Sequence, residues 1–163
     1  MGKNRNISED GHIVPLFLPA DQNGAIHSSL VVAMKEYSHA SILIYIGAAS
    51  RAAGIITLES CDDATPTTST EIVFNYYESV IAFGSANTDV LSVKKTAAVT
   101  GIVPPAGTTG VMYVIELDAI ELTPGHIGFR ISIADPGAAS IIFGAAILSG
   151  AKHKGPASVT ALA

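Results

Sequence analysis

The fold is decided by residues 126–153, HIGFRISIADPGAASIIFGAAILSGAKH. Ile127 to Ala134 alternates, with Ile127, Phe129, Ile131 and Ile133 expected inward and Gly128, Arg130, Ser132 and Ala134 on the other face. This is the pattern of a strand with one apolar face. Asp135-Pro136-Gly137 then turns the chain. Ser140 to Leu148 runs Ser-Ile-Ile-Phe-Gly-Ala-Ala-Ile-Leu and is apolar on both faces. A strand solvated on one side alternates, so continuous apolar character predicts cover on both sides. No convincing amphipathic helix is present to supply the second cover, and another subunit is the expected source, with central burial inside a single sandwich as the alternative. The small residues Gly144, Ala145 and Ala146 suit close approach by a sheet or a subunit.

Working outward, Ala40 to Ile46 shares this two-faced character and is expected beside Ser140–Leu148 in the sheet. Ile42, Ile44 and Ile46 form one face, Leu43 and Tyr45 the other. Further strands are predicted at His12–Leu18, Ser28–Met34, Gly54–Cys61, Thr70–Tyr77, Ser92–Val103 and Val111–Leu117. Pro15 lacks an amide donor and bends the first strand or sets it at an edge. Turns are marked by Asp21–Gly24, the polar corner Lys35–Ser38 and the glycine-bracketed Ala106–Gly110. Ala48–Ala53 reads as a loop, and CDDATPTTST (61–70) as a hairpin loop. Asp118–Leu122 is long enough for one helical turn, while Glu78–Leu91 has no clear period and is expected to cross between sheets.

These signals predict an all-β fold, a jelly-roll-like antiparallel β-sandwich of about eight to nine strands. Residues 1–10 read as a flexible N-terminal arm, 11–150 as the sandwich domain and 151–163 as an extended C-terminal tail, lying on a neighbour or mobile. No repeat of solenoid or propeller period is present.

Charged residues make up 14% of the chain, against roughly 25% in an average soluble domain, and mean hydropathy is high at +0.43. No run approaches the ~20 apolar residues of a spanning helix, so the apolar excess points to large interfaces rather than a membrane. The net charge is −5 and the nine basic residues are scattered, which gives nucleic-acid binding little support. Lys94-Lys95 and Lys152-His153-Lys154 read as solvated loop charge. Cys61 is the one cysteine, which excludes an internal disulfide and suits synthesis in a reducing cytoplasm. Met1–Asp10 lacks the apolar core of a secretory leader, and none is expected. Asn6 stands where the Met-Gly myristoylation pattern needs Ser or Thr, and the sequon Asn6-Ile7-Ser8 is attributed to chance.

Motifs that carry chemistry are absent or weak. The five histidines, His12, His27, His39, His126 and His153, are far apart and outside any ligand spacing, so each is expected at a surface or strand end. A cupin-type jelly roll would gather several of them with a glutamate around a metal. Gly47-Ala48-Ala49-Ser50-Arg51 lacks the second glycine of a nucleophile elbow, Gly84-Ser85 has no neighbouring base, and GTTG (107–110) lacks the lysine of a phosphate loop. The 61–70 loop lacks the glycine turn of a calcium loop. Glu116, Asp118 and Glu121 fall near a strand end, and alternation puts Glu116 and Asp118 on one face. Without Trp in the chain, a carbohydrate cleft there is disfavoured, and they read as solvated acids. Phe74 and Tyr76 are expected in the core, with Tyr77 outward beside Asn75 and Val73. No catalytic, metal-binding or cofactor-binding residue is predicted.

Several segments carry a resemblance: Met112–Ala119, Phe129–Ala138, Ala145–Lys152 and Pro156–Ala163, with Met34–Tyr37 and Ala40–Ile44 upstream. Together they resemble a kind of small bacteriophage virion protein, over most of the domain apart from the N-terminal arm. The shared features are strand patterns rather than catalytic signatures. The resemblance implies a non-enzymatic capsid decoration or cement protein, synthesised in the bacterial host cytoplasm and held on the capsid surface. It implies a jelly-roll-like homotrimer whose partners are the major capsid protein and further copies of itself, without cofactor, direct nucleic-acid contact or membrane. A tail or head–tail connector component and a ligand- or glycan-binding module are the alternatives.

Overall fold

The computed structural model describes residues 11–49, 54–79, 90–105, 110–152 and 161–162. Among them the chain forms strands β1 (His12–Asp21), β2 (His27–Ser28), β3 (Val32–Ala33), β4 (Tyr37–Ala49), β5 (Ile56–Cys61) and β6 (Ser69–Glu71). There follow β7 (Phe74–Glu78), β8 (Lys95–Ala97), β9 (Val111–Asp118), a 3-10 turn (Ala119–Glu121), β10 (Gly128–Ile133) and β11 (Ser140–Ala151). One sheet has the order β1-β11-β4-β9-β7-β8. The other has β2-β10-β5-β6, with β3 also paired to β10.

The pairings are nested. β5 and β6 form a hairpin at the centre, β4 pairs with β9, β2 and β3 pair with β10, and β1 pairs with β11. With β2 and β3 taken as one interrupted strand, this is the double Greek key of a jelly roll, extended at one edge by the β7–β8 hairpin. The fold class is therefore the predicted one, and β11 and β4 are neighbours as their sequences suggest.

Two-residue alternation builds the core. Ile42, Ile44 and Ile46 from β4 and Ile115 and Leu117 from β9 are fully buried, as are Leu58, Phe129, Ile131 and Ile133 of the opposing sheet. Burial of each such side chain contributes about 1.5–3 kcal/mol, so the two inner faces hold the sandwich closed. Phe74 is buried and Tyr76 packs beside it, with Tyr77 on the outer side as expected.

Four predicted strands are corrected. Ser28–Met34 is broken because four residue steps from Ser28 to Val32 face three from Ser132 to Phe129, which makes a bulge. There the Ser29 hydroxyl accepts from the Ile131 amide at 3.1 Å and replaces a ladder carbonyl. Thr70–Tyr77 divides between sheets, β6 pairing with β5 and β7 with β9, so the change of sheet occurs at Ile72-Val73. Ser92–Val103 is a strand only at Lys95–Ala97. Gly101, at φ +87°, turns the chain so that Ile102 bridges Ile56 of the other sheet. Ile127 lies outside β10 and is 37% exposed, not inward.

The expected sheet crossing in Glu78–Leu91 is also corrected at its described ends. Ser79 bridges Leu91, and β7 and β8 are two arms of one sheet. The arm 1–10, residues 50–53 and 80–89, most of the Ala106–Gly110 turn and residues 153–160 of the tail lie outside the described residues. Near the tail's end Ala161 is buried in the core and Leu162 bridges Val32.

Candidate functional site

The two outer faces of the sandwich differ in chemistry. Over the five-stranded sheet stand Ser28 and Ser132, hydrogen-bonded at 2.6 Å, and Arg130, paired with Glu59 at 2.7 Å and with the Ser69 hydroxyl. Burial would raise the Glu59 pKa, but hydrogen bonds from Ser132, Arg130 and Ser69 outweigh it and hold the carboxyl below its ordinary range. That face is polar and internally satisfied.

The outer face of the six-stranded sheet is apolar. Register places Ile13, Ile147 and Ser41 in one row, Ala145, Leu43 and Val114 in the next, and Phe143, Tyr45 and Met112 in a third. Phe143 is 40% exposed, Ile141 45% and Ile13 56%. The predicted cover on the second side of Ser140–Leu148 is thus not supplied by the described residues of the chain itself. β11 alternates in burial, with Ile142, Gly144, Ala146 and Leu148 inward beneath that open row.

One end of the same face carries a polar cluster. His39 and Ser41 are successive outward residues of β4, and register sets them opposite Asp118 and Glu116 of β9. His39 Nδ1 lies 2.7 Å from Asp118 Oδ1, and Nε2 lies 2.7 Å from Glu116 Oε2. Ser41 Oγ donates to Glu116 Oε2 at 2.7 Å and is 3.3 Å from His39 Nε2. The Asp118 amide donates to Glu121 Oε2, so all three predicted acids meet at one corner. Both ring nitrogens can donate only in the imidazolium form. Burial by itself lowers the His39 pKa, but the hydrogen bonds and charges of Asp118 and Glu116 outweigh it, and the net shift is upward.

Sequence reasoning missed this cluster. It expected His39 alone at a strand end and the acids solvated, because 77 residues separate His39 from Glu116. Only the β4–β9 register joins them. The other described histidines stay apart from it: His12 packs edge-on against Tyr37, His27 lies in β2 and His126 precedes β10.

Ser41, His39 and Asp118 have the residue types of a hydrolytic triad, but the geometry differs. Ser41 gives its proton to Glu116, not to His39. It sits in mid-ladder between β11 and β9, where backbone amides are committed to neighbouring strands and cannot form an oxyanion hole. The two carboxylates take opposite ring nitrogens, so one cation could not engage all three side chains. Among the described residues no group of three or more His, Cys, Asp or Glu is placed to hold a metal. Cys61 is buried, and burial pushes its thiol up to about 11, which leaves it a poor nucleophile. The arrangement is a charged rim on an apolar sheet.

Comparison of the chain with protein-family models, curated proteins and solved structures found no match in any of the three. Fold and surface together define a jelly-roll β-sandwich with one polar and one apolar outer face.

Proposed function

We propose that the chain is a non-enzymatic structural protein of a bacteriophage virion, a decoration or cement protein on the outside of the capsid. One observation carries this reading furthest: the outer face of the six-stranded sheet is apolar and open, with Phe143, Ile141 and Ile13 substantially exposed. Apolar faces of this extent on a small domain mark surfaces that assemble. The strand patterns that resemble small virion proteins support the same conclusion. The partners are the major capsid protein and further copies of the chain, as a homotrimer, and no cofactor, nucleic acid or membrane enters the role.

The physical logic is additive. A cement protein joins neighbouring subunits by burying apolar area across their boundary, at about 25 cal/mol per Å². Repetition over a shell turns a modest contact into a strong one.

The test is quantitative mass spectrometry of density-banded particles from the genome that encodes the chain. The expected result is a copy number of the same order as that of the major capsid protein. A ring-sized copy number would move the protein to the tail or connector, and absence from the particles would overturn the virion role.

A further inference from the structure

We infer that the outer face of the six-stranded sheet is the surface on which a second copy of this chain packs. The inference rests on the self-association in the reading above and names its surface; two like faces close a two-fold pair, in place of the homotrimer that the resemblance implies.

Charge argues for a copy of the chain itself. The protein carries a net charge of −5, so most pairings of its own surface would set acid against acid. This face avoids that. Outward residues of β11 from Ile141 to Ser149 carry no charge, nor do Ser41, Leu43 and Tyr45 of β4 or Val114 and Met112 of β9. Its acids stand at its two ends: Glu116 and Asp118 at one, with His39 between them, and Asp21 of β1, opposite Ile141, at the other. A surface without net charge across its middle can meet its own copy without repulsion, whereas it offers no complement to a strongly charged partner.

Extent argues the same way. Five strands, β1, β11, β4, β9 and β7, lie side by side, and the outward residues from Ile141 to Ile147 span most of the face. At ~4.8 Å between strands and ~3.3 Å per residue the face measures on the order of 550 Å² in projection. Two such faces remove on the order of 1,100 Å², which clears the ~1,000 Å² expected of a specific interface. The five-stranded sheet offers no equivalent, because Arg130, Glu59, Ser28 and Ser132 are already bonded to one another across it.

Sedimentation velocity of the full chain over a micromolar concentration series tests the inference. Wild type is expected to associate. Phe143→Glu is expected to weaken association by about ten-fold or more while far-UV circular dichroism stays native, and Glu71→Arg, on the polar sheet, to leave it unchanged. Carbene footprinting of the wild-type chain needs no variant. Labelling of Phe143 and Tyr45 should fall as concentration rises, with Leu30 unaffected. A wild type that remains monomeric, or an oligomer in which Phe143 and Tyr45 label as in the monomer, overturns the inference. A monomer that is still abundant in virions would sink this surface and leave the virion role standing. An oligomer of this kind that is absent from virions would do the reverse.

Discussion

Phe143 stands opposite Tyr45 across the β11–β4 ladder, on the outer side of the sheet, while the next pair, Ile142 and Ile46, is fully buried on the inner side. One residue step therefore separates the core from the face assigned to assembly. The two positions are chemically alike and energetically different, because only the inner one already has its apolar partners within the chain.

Truncation should separate them. Ile142→Ala leaves a cavity between two packed sheets and is expected to cost about 2–5 kcal/mol of folding stability. Phe143→Ala should cost the monomer less than about 1 kcal/mol. Urea denaturation at a concentration low enough to keep the chain monomeric measures both. Equal losses would show that the outer row is already covered within one chain.

The His39 cluster should make stability depend on pH. Its pKa is raised above the ordinary 6.5 in the folded state, so the stabilisation is complete below about pH 6.5 and is lost as pH rises through the folded value. Thermal melts from pH 5.5 to 8.5 should show a fall in Tm on the alkaline side that His39→Asn flattens. An unchanged slope in that variant would place the titration elsewhere.

Glu59 and Arg130 behave with the opposite sign. The Glu59 pKa lies below its ordinary 4.5, so its contribution is present above that value and disappears as pH falls through the folded one. Removing the charge with Glu59→Gln should cost about 1.5–3 kcal/mol at neutral pH, the range for a hydrogen bond to a charged group. The same variant should lose less than wild type on acidification to pH 3, as followed by intrinsic tyrosine fluorescence.

Gly128 is required by close approach rather than by backbone conformation. A Cβ there would lie 2.2 Å from the Val32 carbonyl oxygen, and that backbone is held in β3 against β10. Gly128→Ala should force the strands apart and cost about 1–3 kcal/mol. Gly24→Ser tests a different mechanism, since Gly24 has φ +96° but open space around it. Its loss should be smaller and confined to the turn. Comparative denaturant midpoints decide the order.

Much of the fold was legible because alternation is a local property. The inward row Phe129, Ile131 and Ile133 of β10 follows from reading every second residue, and Pro15 correctly marked an edge strand. Breaks within strands were less visible. The Ser29 bulge and the Gly101 turn depend on what the partner strand presents, and Ser29 carries no strong turn signal of its own. The hidden pairing of His39 with Glu116 and Asp118 has the same cause.

Sequence by itself determined that this protein is an antiparallel β-sandwich and that β11 and β4 carry apolar residues on both faces. Side-chain period is written in the chain and needs no partner to be read. Tertiary structure decided which of those faces became the core, since Ile142 and Phe143 are indistinguishable until two sheets close over one of them. It also gathered the rim of His39, Glu116 and Asp118, because register across β4 and β9 is set by the whole sheet rather than by either strand.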